Sequence, residues 1–190
     1  MKFDPFNCTN FNRTDEELDN FFVFCVFVAG KRADMTAKKV NSMIENYPHR
    51  SALQIVREHI EDSTHALDTL LRKYKFGKND LYQKCFRKAV NLDLRNCTVQ
   101  DLEAVPGIGP KTARYFLIHS RANANVAALD THILRYMREE LNIETPKTTP
   151  SGKKYLELEK KFIKHAQSLG EPIADLDLTI WKKYTISKTA

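Results

Sequence analysis

The sequence has no CxxC pair and no cysteine–histidine spacing of the kind that binds zinc, and no cysteine follows Cys97. Cys8, Cys25, Cys85 and Cys97 therefore read as reduced intracellular thiols, with Cys25 in the core, and neither a zinc site nor an iron–sulfur cluster is expected. A phosphate-binding loop of the GxxxxGK type is absent too, so neither a nucleoside triphosphate nor a redox cofactor is called for. The longest apolar run, Phe21 to Ala29, is half a membrane span, and the start lacks the basic and small-residue pattern of a secretion signal. These absences suggest an intracellular protein, of the cytoplasm and nucleoid or of a eukaryotic nucleus, without membrane contact. There is also no internal repeat, no low-complexity tract and no alternating run long enough to be a strand.

What is present is a helical pattern. The 190 residues suit a single domain, and 42% hydrophobic with 28% charged residues belongs to globular chains with a core. Thr14-Asp15-Glu16-Glu17 caps a helix through about Ala29, broken by Gly30; a second runs from about Asp34 to Glu45, and Ser51 with Gln54 caps a third. Further helices are predicted over about 62–74, 79–90, 98–104, 110–120, 130–141, 153–169 and 173–184. The spacing of Phe21, Phe22, Phe24 and Phe27 marks them as core, and Trp181 reads the same way. The fold class is all-α with two lobes: residues 30–120 form one, and 1–29 with 121–190 the other.

The net charge is +6 and the pI about 9.1, a balance that favours a polyanionic partner. Basic residues crowd the stretch from Leu71 to Arg95 (Arg72, Lys73, Lys75, Lys78, Lys84, Arg87, Lys88 and Arg95 against Asp80 and Asp93). That run is either a solvated helix face or part of a polyanion-binding surface. Directly after it comes Val105-Pro106-Gly107-Ile108-Gly109-Pro110 between two helices. Gly107 and Gly109 can take positive φ and let the backbone approach a surface. Ile108 is expected to pack between the helices. Pro110 at the first helical position loses no hydrogen bond, and the free N–H groups of that helix start, near Lys111 and Thr112, can hold a phosphate. The pattern is a helix–hairpin–helix, a grip on the DNA backbone that carries no sequence information.

Two residues next to the hairpin suggest chemistry. Lys111 lies in the first turn of the second helix, where it either meets a phosphate or, as a neutral amine favoured by the helix dipole and partial burial, attacks a sugar carbon. Asp130 precedes Thr131-His132-Ile133 and suits an N-cap. Held ionised by backbone N–H groups and facing a cleft, it could also stabilise positive charge on a deoxyribose and relay protons to Lys111. His119, His132 and His165 have no partner at ligand spacing and read as core or surface residues.

Leu102 to Arg135 resembles the core signature of the helix–hairpin–helix–GPD superfamily of DNA glycosylases. The carrying residues are Val105 to Ala113 in the hairpin and Leu129-Asp130-Thr131-His132-Ile133-Leu134-Arg135 beyond it. The resemblance implies a fold over most of the chain and a bifunctional enzyme, a DNA glycosylase and AP lyase, with Lys111 as nucleophile and Asp130 as the essential carboxylate. It further implies backbone carbonyls of Glu103, Val105 and Ile108 that bind a structural K+ or Na+, and a loop, here Lys31 and Arg32, that enters the space left by a flipped nucleotide. The partner implied is double-stranded DNA with a damaged or modified base, met by a monomer. Lacking a four-cysteine loop, the chain is similar to the compact archaeal-type 8-oxoguanine glycosylase/lyases rather than to endonuclease III-like members. Some of those end on a substrate-reading lysine, whereas this chain ends Lys188-Thr189-Ala190. A monofunctional glycosylase, in which Lys111 only binds phosphate, and a non-enzymatic hairpin clamp are the alternatives.

Overall fold

Among the described residues, three of the ten helices open on reciprocal caps that the sequence spells out. Thr14, Ser51 and Thr98 each accept from a backbone N–H three residues on, while Glu17, Gln54 and Asp101 reach back to the cap. The computed structural model describes residues 4–63 and 65–186, the last by its backbone alone. Lys188-Thr189-Ala190 lies outside the described residues. The elements are α1 (Asp15–Val28), α2 (Ala33–Glu45), α3 (Ala52–Asp62), α4 (Ala66–Lys73), α5 (Asn79–Ala89), α6 (Val99–Glu103), α7 (Pro110–Ser120), α8 (Thr131–Glu139), α9 (Gly152–Leu169) and α10 (Ile173–Ile186). No strand occurs among the described residues. The helix expected over 62–74 starts later, at Ala66, because Ser63 is fully extended (φ −158°, ψ 164°) and turns the chain out of α3.

Buried side chains gather in two main cores. The larger holds Phe21, Phe22, Phe24 and Phe27 of α1 together with residues of α2 to α7. The smaller is built from Leu129, Ile133, Leu134, Met137, Tyr155, Leu158, Phe162, Leu176, Ile180 and Tyr184. Of the residues 1–29 expected to side with 121–190, α1 packs in the larger core, while Phe6 before it lies 5.3 Å from Trp181 of α10. From Phe21 to Phe27 α1 is buried on every side, so it is the central post of the larger lobe. Phe27 stacks on Phe76 at 3.7 Å and meets Phe86 edge-on at 5.2 Å, and Phe22 meets Phe116 of α7 edge-on at 5.3 Å. Emptying such a position costs about 3–5 kcal/mol. The phenylalanine stripe is thus core, as its spacing predicts, and it fixes α7 from behind.

Candidate active site

The hairpin is anchored from below and open above. Val105 and Ile108 are buried, while Pro106, Gly107 and Gly109 are exposed. Gly107 has φ +89°, a conformation that only glycine takes without strain. Gly109 differs from expectation: its φ is −91°, which any residue adopts, and a Cβ added there would meet nothing within 4 Å. The bareness of Gly109 therefore serves an outside contact and not the turn. Gly109 is the N-cap of α7 and has no side chain to satisfy the first amides, and Pro110 brings none. The N–H groups of Lys111 and Thr112 are left to point outward, although the Thr112 side chain itself is buried.

Lys111 and Asp130 come together across a cavity of about 990 Å³. Its walls come from the α1–α2 loop, the start of α7, the start of α8, Thr149, one face of α10 and Pro5 with Phe6. The Lys111 ammonium lies 4.4 Å over the centre of the Tyr115 ring. Asp130 caps α8: its Oδ1 accepts from His132 N at 2.8 Å and Ile133 N at 2.9 Å. Burial raises the Asp130 carboxyl above its ordinary range; Lys111 and the Ile133 N–H pull it down, and the charge of Asp177 pushes it further up. The net direction is opposite to that expected from the N-cap alone, because desolvation outweighs two hydrogen bonds.

Arg32 and Lys31 both line the cavity mouth but differ in freedom. Lys31 is folded back onto the Phe76 carbonyl and over the Tyr82 ring at 4.7 Å. Burial and the neighbouring charges of Lys78 and Lys39 push its pKa down to about 8. Arg32 is 78% exposed at the side chain and is tethered by Asp34 at 2.8 Å. Of the two, Arg32 has the reach to leave the surface.

Several wall residues escaped the sequence reading. Trp181, expected in the core, is only half-buried and lines the cavity, with Phe6 at 5.3 Å between ring centres. Tyr115 and Asp177 line it too. Asp177 Oδ2 accepts from the Nε2 of His119, at 3.2 Å. His119 is entirely buried, so it is a core histidine, but one tied to a cavity carboxylate. The signal available beforehand was spacing: Tyr115 is four residues after Lys111, and Trp181 four after Asp177, so each pair shares a helix face.

A buried brace joins the hairpin to the Asp130 segment. Arg114 Nε donates to Glu159 Oε1 at 2.6 Å, its Nη1 pairs with Glu103, and both Arg114 and Glu159 are buried. The same Glu159 oxygen accepts from Ala127 N at 2.9 Å, and Tyr155 holds Ala127 O and Leu129 N at 2.8 and 3.0 Å. The backbone leading into Asp130 is thus fixed to the helix that carries Lys111. Among the described residues no three His, Cys, Asp or Glu side chains converge as metal ligands, and no helix is long and apolar enough to cross a membrane.

Comparison with known proteins agrees with this architecture. A family model of 8-oxoguanine DNA glycosylase matches residues 1–171. The 8-oxoguanine DNA glycosylase/AP lyase of Fusobacterium nucleatum is 38% identical over 81 residues, which are 42% of this chain and 36% of that enzyme. That of Methanocaldococcus jannaschii is 26% identical over 181 residues, 90% of this chain and 81% of that one. The crystal structure of the M. jannaschii 8-oxoguanine DNA glycosylase superimposes with a TM-score of 0.67 at 24% identity, over 94% of this chain and 83% of that one. Its structure with a 15mer DNA containing 8-oxoguanine gives 0.58 at 26% identity, over 92% and 83%.

Proposed function

The chain belongs to the 8-oxoguanine DNA glycosylase family, and from that premise we propose that it is a bifunctional DNA glycosylase and AP lyase that removes 8-oxoguanine from double-stranded DNA. The observation that carries the reading is that Lys111 and Asp130 line one cavity, close enough for the lysine's charge to act on the carboxylate, one in the first turn of a helix and the other capping one. The hairpin grips a backbone phosphate through Gly107, Ile108, Gly109 and the amides of Lys111 and Thr112, while the extruded nucleotide enters the cavity. Arg32, with Lys31 behind it, reaches toward the gap in the duplex.

Lys111 Nζ gives up a proton to Asp130 and attacks C1′ of the sugar with the lone pair so freed; the bond from C1′ to the base breaks, and the base leaves with that bond's electron pair and takes up the proton from Asp130. Asp130 stabilises the positive charge that develops on the ring as this bond breaks. Opening of the sugar gives a Schiff base between Nζ and C1′. Loss of a proton from C2′ then expels the 3′ phosphate by β-elimination. The raised pKa of Asp130 suits it to take and return protons in these steps. No redox cofactor is needed.

The hairpin carbonyls of Glu103, Val105 and Ile108 would hold K+ or Na+. Val105 O accepts one hydrogen bond, from Ile108 N at 3.1 Å, and keeps a lone pair for a hard cation. Such an ion would add positive charge where the hairpin meets phosphate. The protein is taken to work as a monomer inside the cell.

A duplex with one 8-oxoguanine tests the reading. Strand scission without alkali, leaving an unsaturated aldehyde on the 3′ end, is the expected result. Base release that needs alkali to cut the strand would mean a pure glycosylase, and binding alone a hairpin clamp.

A further inference from the structure

Three lysine ammoniums from three parts of the chain gather on one side of the molecule. Lys31, just past α1, and Lys39 of α2 donate to the neighbouring carbonyls of Phe76 and Lys75. Lys78 Nζ reaches back to the Ala29 carbonyl at 3.4 Å, and it lies 3.8 Å from the point where a Cβ on Gly30 would stand. Among the described residues no carboxylate pairs with any of the three. Asp34 pairs with Arg32 and Asp68 with Arg72, and neither these nor Asp80 is among the charges that act on Lys31. Those charges are Lys78 and Lys39, which together with burial hold the Lys31 pKa down at about 8. The positive end of α5, whose N-cap is Lys78, adds to the crowding.

Local preference does not explain these residues. Lys75 and Lys78 both have φ +53°, in the left-handed region where glycine or asparagine is at home, and Gly77 between them has φ +67°. As N-cap, Lys78 gives α5 no side-chain hydrogen bond, which serine, aspartate or asparagine would supply. The loop is nevertheless firmly held, since Phe76 is buried and stacks on Phe27 at 3.7 Å. A loop anchored in the core thus gathers cations against both backbone preference and mutual repulsion. Strain of this kind persists where function needs the charge.

We propose that Lys31, Lys39 and Lys78 jointly hold one phosphate of the DNA backbone, separate from the phosphate held by the hairpin. This rests on the reading that the chain grips duplex DNA, and it adds a second point of attachment. Each ammonium has three donors and uses one on a carbonyl, so donors remain for an anion. The place fits as well. Leu81, about 4.5 Å along α5 from Lys78, packs against the hairpin tip, 3.1 Å from a Cβ added to Gly107. On the other side, Gly30 and Lys31 line the cavity mouth. The cluster therefore borders both the hairpin and the entrance for the flipped nucleotide. Phosphate contacts fix register and orientation. One such contact is a pivot, and a second stops the duplex from turning about it. Lys31, tied to the backbone in this way, leaves the gap in the duplex to Arg32.

Binding to an undamaged duplex over a range of salt tests this without any cutting. The logarithm of the affinity falls with the logarithm of salt by about 0.9 per phosphate neutralised. The triple variant Lys31→Gln, Lys39→Gln, Lys78→Gln should have a slope shallower than wild type by about 0.9, and should bind roughly tenfold more weakly at low salt. Lys78→Gln alone should bind severalfold more weakly, and Lys78→Arg, which keeps the charge, as wild type does. Combined with Gly109→Ala, the loss of the triple variant should multiply, because two phosphates are involved. Lys78→Gln should melt no lower than wild type, because it relieves the crowding, so it carries the test if the triple variant does not fold. A slope equal to that of wild type would make the lysines a solvated brace, and one shallower by about 2.7 would make them three separate contacts. Either result overturns the inference, as does a loss that fails to multiply with Gly109→Ala. The expected slopes in a protein that cuts neither an 8-oxoguanine duplex nor an abasic-site duplex would instead sink the enzymatic reading and leave the phosphate clamp standing.

Discussion

The ammonium of Lys111 lies 4.4 Å over the centre of the Tyr115 ring, one turn further along α7. The ring is itself held, with its hydroxyl 3.2 Å from Cys8 Sγ and its centre 6.1 Å from that of the Phe21 ring. It therefore acts as a shelf that keeps the amine over the cavity. Tyr115→Leu removes the shelf and should slow Schiff-base formation roughly tenfold, about 1.4 kcal/mol of barrier. Tyr115→Phe keeps the ring and should stay within about twofold of wild type. Single-turnover trapping rates compare the two, and a leucine variant as fast as the phenylalanine variant would deny the ring this role.

The two hairpin glycines should separate in their effects. At Gly107 a Cβ would come within 3.1 Å of Leu81 in a backbone with φ +89°, so Gly107→Ala should cost about 1–3 kcal/mol of stability. At Gly109 there is neither strain nor a neighbour. Gly109→Ala should unfold like wild type yet bind duplex DNA roughly tenfold more weakly, because its methyl group stands where a phosphate would approach. Urea unfolding and a binding titration read the two effects, and matching losses of stability would contradict the distinction.

Most of the fold was legible because helices announce their own ends. The reciprocal caps at Thr14, Ser51 and Thr98, and Pro110 at the first position of α7, are local chemistry that needs no tertiary information. Lys111 and Asp130 could be picked out for the same reason, each sitting in or next to a recognisable helix start. What could not be read was direction. Trp181 at helical spacing looks like a core residue, and whether its face meets a core or a cavity depends on how α10 is turned against α8 and the N-terminal segment. Asp177 and His119 are far apart in sequence and gain meaning only from their hydrogen bond. Likewise the place of α1 in the larger core could not be read, since an all-round apolar helix carries no sign of which neighbours will surround it.

The Arg114–Glu159 pair should be a point of high sensitivity. Removing the Glu159 charge leaves the buried Arg114 with Glu103 as its remaining ionic partner, so the cost falls short of that of a fully unpaired buried charge. Glu159→Gln should lose about 1.5–3 kcal/mol in urea unfolding, the worth of a charge-assisted hydrogen bond, and, through Ala127 N, loosen the backbone before Asp130. Loss of less than about 1 kcal/mol, typical of exposed pairs, would mean that the brace is dispensable.

Stability should also fall at high pH through His119. Burial alone would lower the pKa of this imidazole, but the hydrogen bond to Asp177 and the contact with Cys8 raise it to about 9. A histidine raised on folding contributes fully below its unfolded value and loses that contribution as pH rises through the folded one. The window is therefore from about 6.5 to about 9, and the contribution at most about 3 kcal/mol. Melting of wild type and His119→Gln across this range measures it: the two curves should converge as pH rises. A constant gap would mean that the imidazole does not titrate with folding.

Borohydride reduction during reaction with a duplex carrying one abasic site tests the assignment of the nucleophile most directly. Wild type should be captured as a covalent protein–DNA complex, Lys111→Gln should form none while still binding the duplex, and Asp130→Asn should be captured much more slowly. Capture of Lys111→Gln at the wild-type rate would assign the Schiff base to another amine. No capture of wild type at all, with binding intact, would contradict the lyase.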